Sequence, residues 1–149
     1  MSEDNKKITA VIFDFEGTLV HGDKAYSDAR SLVLKLQDAG ILLGIASNTS
    51  THSIKDRLEK NKMLQYFDAV VGIDQVEYHG KPAPDLFLRV AEHLNSEPST
   101  CLVIEDSLSG AEGACTAGMD VVLVRGEKSN YAILECADLE DSKLEEILF

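Results

Sequence analysis

The chain has 149 residues, 44% hydrophobic and 27% charged, which suits one folded domain and not a disordered chain. Its 26 acids against 14 lysines and arginines give a net charge of −12, a field that repels polyphosphate backbones and argues against general nucleic-acid binding. The polar start "MSEDNKK" has no apolar signal core and no run approaches a membrane span, so a cytoplasmic protein without membrane contact is expected. Cys101, Cys115 and Cys136 lack CxxC spacing and read as buried thiols, not as a disulfide framework or a thiolate metal site.

In chain order, "ITAVIF" is β-branched, lacks polar alternation and predicts a strand covered on both faces. Ala29, Leu32, Val33 and Leu36 recur at helical spacing, with Gly40 as the stop. "ILLGIA" predicts the second strand, and Ile54 with Leu58 the helix after it. "DAVVG" predicts a short third strand. Phe87, Val90, Ala91 and Leu94 give a clear helical stripe behind Pro84. "CLVI" is the fourth strand, "SLSGAEGACTAG" a small-faced helix ending at Gly118, and "DVVLV" the fifth strand. "SKLEEIL" predicts a closing helix with Ser142 and Glu145 at capping-box spacing. This alternation predicts a Rossmann-like, doubly wound parallel sheet in a three-layer α/β/α arrangement. Without repeats, linkers or low-complexity stretches, residues 1–149 read as a single domain.

Ligands of open parallel sheets bind beyond the carboxyl ends of the strands. Strand one exits into Asp14, Glu16, Gly17 and Thr18, strand two into Ser47, Asn48 and Thr49. The third leads through "VEYHG" to Lys81 and the stiff "KPAP", and the fourth exits into Glu105, Asp106 and Ser107. Carboxylates, a hydroxyl and an ammonium thus converge on one rim, and the opposite ends supply nothing comparable. Clustered acids repel, and an oxygen-rich set with few nitrogens favours a hard cation, Mg²⁺ first. Helix starts after Gly17 and Asn48 would offer backbone N–H groups to an anion, and Lys81 adds a point charge. The composite is a metal-assisted phosphoryl site. Thr18 and Asn48 stand on the same rim as phosphate-binding candidates, with turn geometry and helix capping as their competing roles. His21, His52, His79 and His93 share no metal-ligand spacing.

The motifs "VIFDFEGT", "GIASN", "GKPAPDLF" and "VIEDSLSG", followed by "AGMDVVLV", resemble the haloacid dehalogenase-like superfamily in the family's order. The stretch from Gly80 to Met119 is similar to the subgroup of β-phosphoglucomutase and small sugar-phosphate phosphatases. That resemblance implies a Mg²⁺-dependent phosphatase in which Asp14 is the nucleophile and forms an aspartyl phosphate. It implies that Asp14 and Asp106 hold Mg²⁺ by their side chains, with Glu16 lending its backbone carbonyl and Glu105 supporting them. Ser47 and the Gly17 amide would bind phosphate oxygens, and Lys81 would pair with Asp14 and the transferring group. The side chain at Glu16 would protonate the leaving oxygen and later deprotonate the attacking water.

The chain departs from the family pattern twice. Aspartate is usual where Glu16 stands, and the extra methylene displaces the carboxyl by roughly an ångström, a misplacement able to cost about a hundredfold. The subgroup also inserts a helical cap after the first motif, whereas here only about ten residues separate Thr18 from the next helix. A capless core is expected, with "HGDKAY" forming at most a flap. An uncapped rim suits a bulky phosphorylated substrate, small-molecule or macromolecular, or a homo-oligomer whose neighbouring subunit acts as lid. Two rival readings are a β-phosphoglucomutase-like phosphotransferase and a weakly active or non-catalytic module that binds Mg²⁺ and phosphate. A two-component receiver domain carries similar groups, but its phosphoacceptor follows the third strand and its lysine the fifth, the wrong order for this chain.

Overall fold

The computed structural model describes residues 7–125 and the strand at 134–135, and its sheet is built outward from the first motif. Strand β1 (Ala10–Phe13) is wholly buried and lies inside the sheet. A two-residue hairpin, β2 (Val20–His21) and β3 (Lys24–Ala25), precedes helix α1 (Ser27–Asp38). Then follow β4 (Leu42–Ala46), α2 (Thr51–Lys60), β5 (Ala69–Val71), α3 (Asp85–Leu94), β6 (Cys101–Glu105), α4 (Leu108–Thr116), β7 (Asp120–Leu123) and β8 (Leu134–Glu135). The order across the sheet is β5-β4-β1-β6-β7-β8, and every pairing is parallel. The five expected strands are all present, and β8 adds a sixth at the edge.

The absence of polar alternation in β1 follows from its two covers. Val11 and Phe13 face one core with Leu32, Val33 and Leu36 of α1 and Ile54 and Leu58 of α2. Ala10 and Ile12 face the other, with Phe87 and Val90 of α3 and Ala111 and Ala114 of α4. Successive residues of a strand point to opposite faces, so two helical layers consume both. Gly44 of β4 lets α3 approach closely, because a Cβ there would lie 2.4 Å from Val90 Cγ1. Cys101 is buried at the start of β6. Cys136 and the expected closing helix at 142–148 lie outside the described residues.

One expectation about helix starts is corrected. No helix follows Gly17: the chain turns into the β2–β3 hairpin, and α1 begins only at Ser27. The segment between β1 and α1 is therefore a short flap at the rim, as the ten-residue spacing requires.

Candidate active site

Sheet register brings the motifs together. Phe13 pairs with Ile45 on one side and Ile104 on the other, so Asp14, Ser47 and Glu105 emerge at adjacent strand ends. The Asp14 N–H continues the ladder to the Ile104 carbonyl at 2.9 Å. Lys81 arrives from the loop between β5 and α3. Its Nζ donates to Asp14 Oδ1 at 2.7 Å and also to Glu105 Oε2. Cation and carboxylates are all largely withdrawn from solvent.

Asp106 completes the cluster: carboxylate oxygens of Asp14, Glu105 and Asp106 lie within 4.8 Å of one another. Burial pushes Asp106 up to about 7, and the Asp14 carboxyl beside it pushes the same way. Glu105 is also raised to about 7 by burial, against the pull of Lys81. Burial alone would lower Lys81, but the Asp14 and Glu105 carboxylates outweigh it and hold the ammonium above its usual range. Three acids against one ammonium leave excess negative charge in a dry place. Hard oxygen donors at this spacing fit Mg²⁺.

Glycine at position 17 is required here. Its φ is +84°, and a Cβ would fall 2.1 Å from Asp106 Oδ2. The Gly17 N–H, expected to face a phosphate, donates instead to the Val20 carbonyl at 2.8 Å and sets the hairpin's direction. Thr18 is fully buried, and its hydroxyl donates to Asp14 Oδ2 at 3.4 Å, so it sits behind the Asp14 carboxylate.

On the β4 side, Ser47 is buried at the rim and its Oγ accepts from the Thr49 N–H at 3.1 Å. Asn48 Oδ1 accepts from the Lys81 N–H at 2.9 Å, tying the two loops together. At the start of α2, two of the N–H groups expected to face an anion are already engaged. The Thr51 N–H donates to Asp74 Oδ1 at 2.7 Å and the Ser53 N–H to Ser50 Oγ at 3.3 Å. An acid already answers the positive end of that helix.

Asp14, Glu16, Ser47, Asn48, Lys81 and Glu105 line one cleft of about 270 Å³. Three further hydroxyl residues that sequence reasoning did not single out as ligands, Thr49, Ser107 and Ser109, line it too. Ser107 had a visible signal, since it precedes the small-faced helix; its Oγ accepts from the Gly110 N–H at 3.1 Å and its hydroxyl donates to Glu105 Oε1 at 3.4 Å. A larger groove of about 440 Å³ lies along α3 near Gln75, His79 and Arg89, but it holds no comparable convergence of acids and lysine. Chemistry, not volume, picks the smaller cleft.

Glu16 points elsewhere than into the acid cluster. Oε1 accepts from Arg57 Nη1 at 2.8 Å and Oε2 from the Gly22 N–H at 3.0 Å. Its partial burial works upward, but the Gly22 N–H and the Arg57 guanidinium together hold its carboxyl below the ordinary value. Arg57 had no sequence signal: it is one charged residue on a helix of mostly polar residues.

The sequence model of the haloacid dehalogenase-like hydrolase family matches residues 21–124. A phosphorylated carbohydrates phosphatase from Thermotoga maritima is 38% identical over 110 residues, covering 72% of this chain and 50% of that one. A bifunctional riboflavin kinase/FMN phosphatase from Arabidopsis thaliana is 36% identical over 102 residues, 68% of this chain and 27% of the relative. A haloacid dehalogenase-superfamily hydrolase structure from Ehrlichia chaffeensis superposes with a TM-score of 0.85 at 18% identity, covering 97% of this chain and 99% of that one, a likeness of fold. The chain belongs to the haloacid dehalogenase-like hydrolase family. It spans half or less of these two curated relatives' length.

Proposed function

We propose that this protein hydrolyses phosphate monoesters through an aspartyl phosphate on Asp14. The observation that carries the reading is the single ammonium of Lys81 shared between Asp14 and Glu105, with Asp106 alongside. That set combines a nucleophilic carboxylate, a fixed countercharge and the remaining ligands for a hard cation. Asp14 and Asp106 would hold Mg²⁺, with Glu105 behind them, and the bound ion would neutralise charge on the transferring group.

In the first step an Asp14 oxygen bonds to phosphorus as the bond to the leaving oxygen breaks. The electron pair stays with that oxygen, which takes a proton from the Glu16 carboxyl. In the second step a water oxygen attacks phosphorus, Glu16 takes its proton, and the Asp14 carboxylate is restored as phosphate departs. Lys81 supplies positive charge beside the reacting oxygens in both steps. The Ser47 hydroxyl stands at the cleft as a donor for a phosphoryl oxygen.

The names of the relatives support a phosphorylated small molecule as substrate, carbohydrate phosphates first. Phosphate release from a panel of sugar phosphates and other phosphomonoesters, with Mg²⁺ and with chelator, tests the reading beside Asp14→Asn. Release that survives that substitution would exclude Asp14 as nucleophile. A weakly active module is the second reading, and the engagement of both Glu16 oxygens by Arg57 and Gly22 is what favours it.

A further inference from the structure

Glu16, Gly22 and Arg57 form a closed ring at the mouth of the cleft. Arg57 Nη1 donates to Glu16 Oε1 at 2.8 Å and to the Gly22 carbonyl at 2.7 Å. The Gly22 N–H returns to Glu16 Oε2 at 3.0 Å. The ring joins the exit of β1, the turn of the hairpin and the last turns of α2. The Arg57 guanidinium carbon lies 4.7 Å from the Phe15 ring centroid, a cation–π contact. Its Nε is buried and has no hydrogen-bond partner among the described residues, an unfavourable feature.

We infer that Arg57 is a positioning residue that latches the Glu16 carboxylate to the hairpin, and that turnover waits on release of this latch. The inference rests on the phosphatase reading, in which Glu16 carries the proton. Both carboxylate oxygens already accept from N–H donors. Held by both oxygens, the carboxylate faces the hairpin and α2 and not the cluster of Asp14, Glu105 and Asp106, so it must give up these contacts before it can reach a group bound at Asp14. The residue type explains the reach: aspartate, one methylene shorter, would withdraw the carboxyl by roughly an ångström and carry it out of hydrogen-bond range of Arg57. The glutamate and the arginine are thus one feature.

A double-mutant cycle tests this, with Arg57→Gln, Glu16→Asp and the pair together compared with the unaltered protein. Arg57→Gln is expected to raise kcat on the order of tenfold with little change in KM, as an inhibitory contact is removed. In the Glu16→Asp background the same substitution should add nothing, because that background has no latch. Independently of activity, the Gly22 amide resonance of the metal-free protein should move in both single variants. If Arg57→Gln does not fold, Arg57→Lys takes its place, with a smaller gain expected from a single-point contact. An unchanged or lower kcat in a folded Arg57 variant overturns the latch alone, as does an equal effect in both backgrounds. Absence of hydrolysis in every protein, the unaltered one included, overturns the phosphatase reading and the latch's role with it.

Discussion

Lys81 Nζ lies 2.7 Å from Asp14 Oδ1 although 67 residues separate the two along the chain, and the same ammonium bonds Glu105. No local rule places this lysine. The parallel sheet puts Asp14 and Glu105 side by side, and the loop after β5 delivers the cation over both.

Lys81→Met removes that cation and leaves buried carboxylates without their countercharge. Breaking a buried pair by deleting one partner costs about 3 kcal/mol or more, measurable by chemical denaturation. Turnover should fall by at least about a hundredfold, since the transferring charge loses a fixed donor. Activity kept within about twofold in a folded variant would remove Lys81 from the reaction.

Two glycines guard the carboxylates. Gly17→Ala would set a Cβ 2.1 Å from Asp106 Oδ2, and Gly110→Ala would set one 2.0 Å from Glu105 Cδ. Gly17→Ala should weaken Mg²⁺ binding about tenfold by displacing the Asp106 carboxylate proposed as a ligand, read by calorimetric titration. Gly110→Ala should lower stability more, because Glu105 is fully buried and bonded to Lys81. Equal Mg²⁺ affinity in Gly17→Ala and the unaltered protein would argue against Asp106 as a ligand.

The metal-free protein should be more stable in mild acid than at alkaline pH. Glu105 and Asp106 are pushed up to about 7 from 4.5 and 3.8, so the folded chain binds more protons than the unfolded one across that window. Stability contributed by these groups is complete below about pH 4 and is lost as pH rises through about 7. Mg²⁺ competes with the protons, so it should stabilise more at about pH 8 than at about pH 5.5. Thermal melts with chelator and with Mg²⁺ at both pH values check the sign, and Asp106→Asn should flatten the dependence.

Asp74→Ala tests the contact at the start of α2. The carboxylate accepts the Thr51 N–H at 2.7 Å, an interaction worth about 1 kcal/mol at a helix start. Stability should fall by that amount with kcat unchanged. A marked fall in kcat would show that Asp74 also shapes the cleft.

Much of this was legible in the residues because it follows from periodicity and strand ends. The unbroken apolar run of β1 requires cover on both faces, and the stripes of α1 and α3 identify the covers. Asp14, Ser47, Lys81, Glu105 and Asp106 could be named from strand exits, since a parallel sheet directs all its carboxyl ends to one edge. The direction of each polar group at the rim was a different matter. The Gly17 N–H was claimed by Val20 and the Thr51 N–H by Asp74, contacts between segments whose separation in sequence says nothing of their approach in space. Glu16 shows the division most sharply. Its residue type was plain from the start, but its partners, Arg57 and Gly22, were set by how α2 and the hairpin pack around Phe15. Patterns along the chain fix which elements form and which ends carry charge; only tertiary packing decides which donor each carboxylate meets.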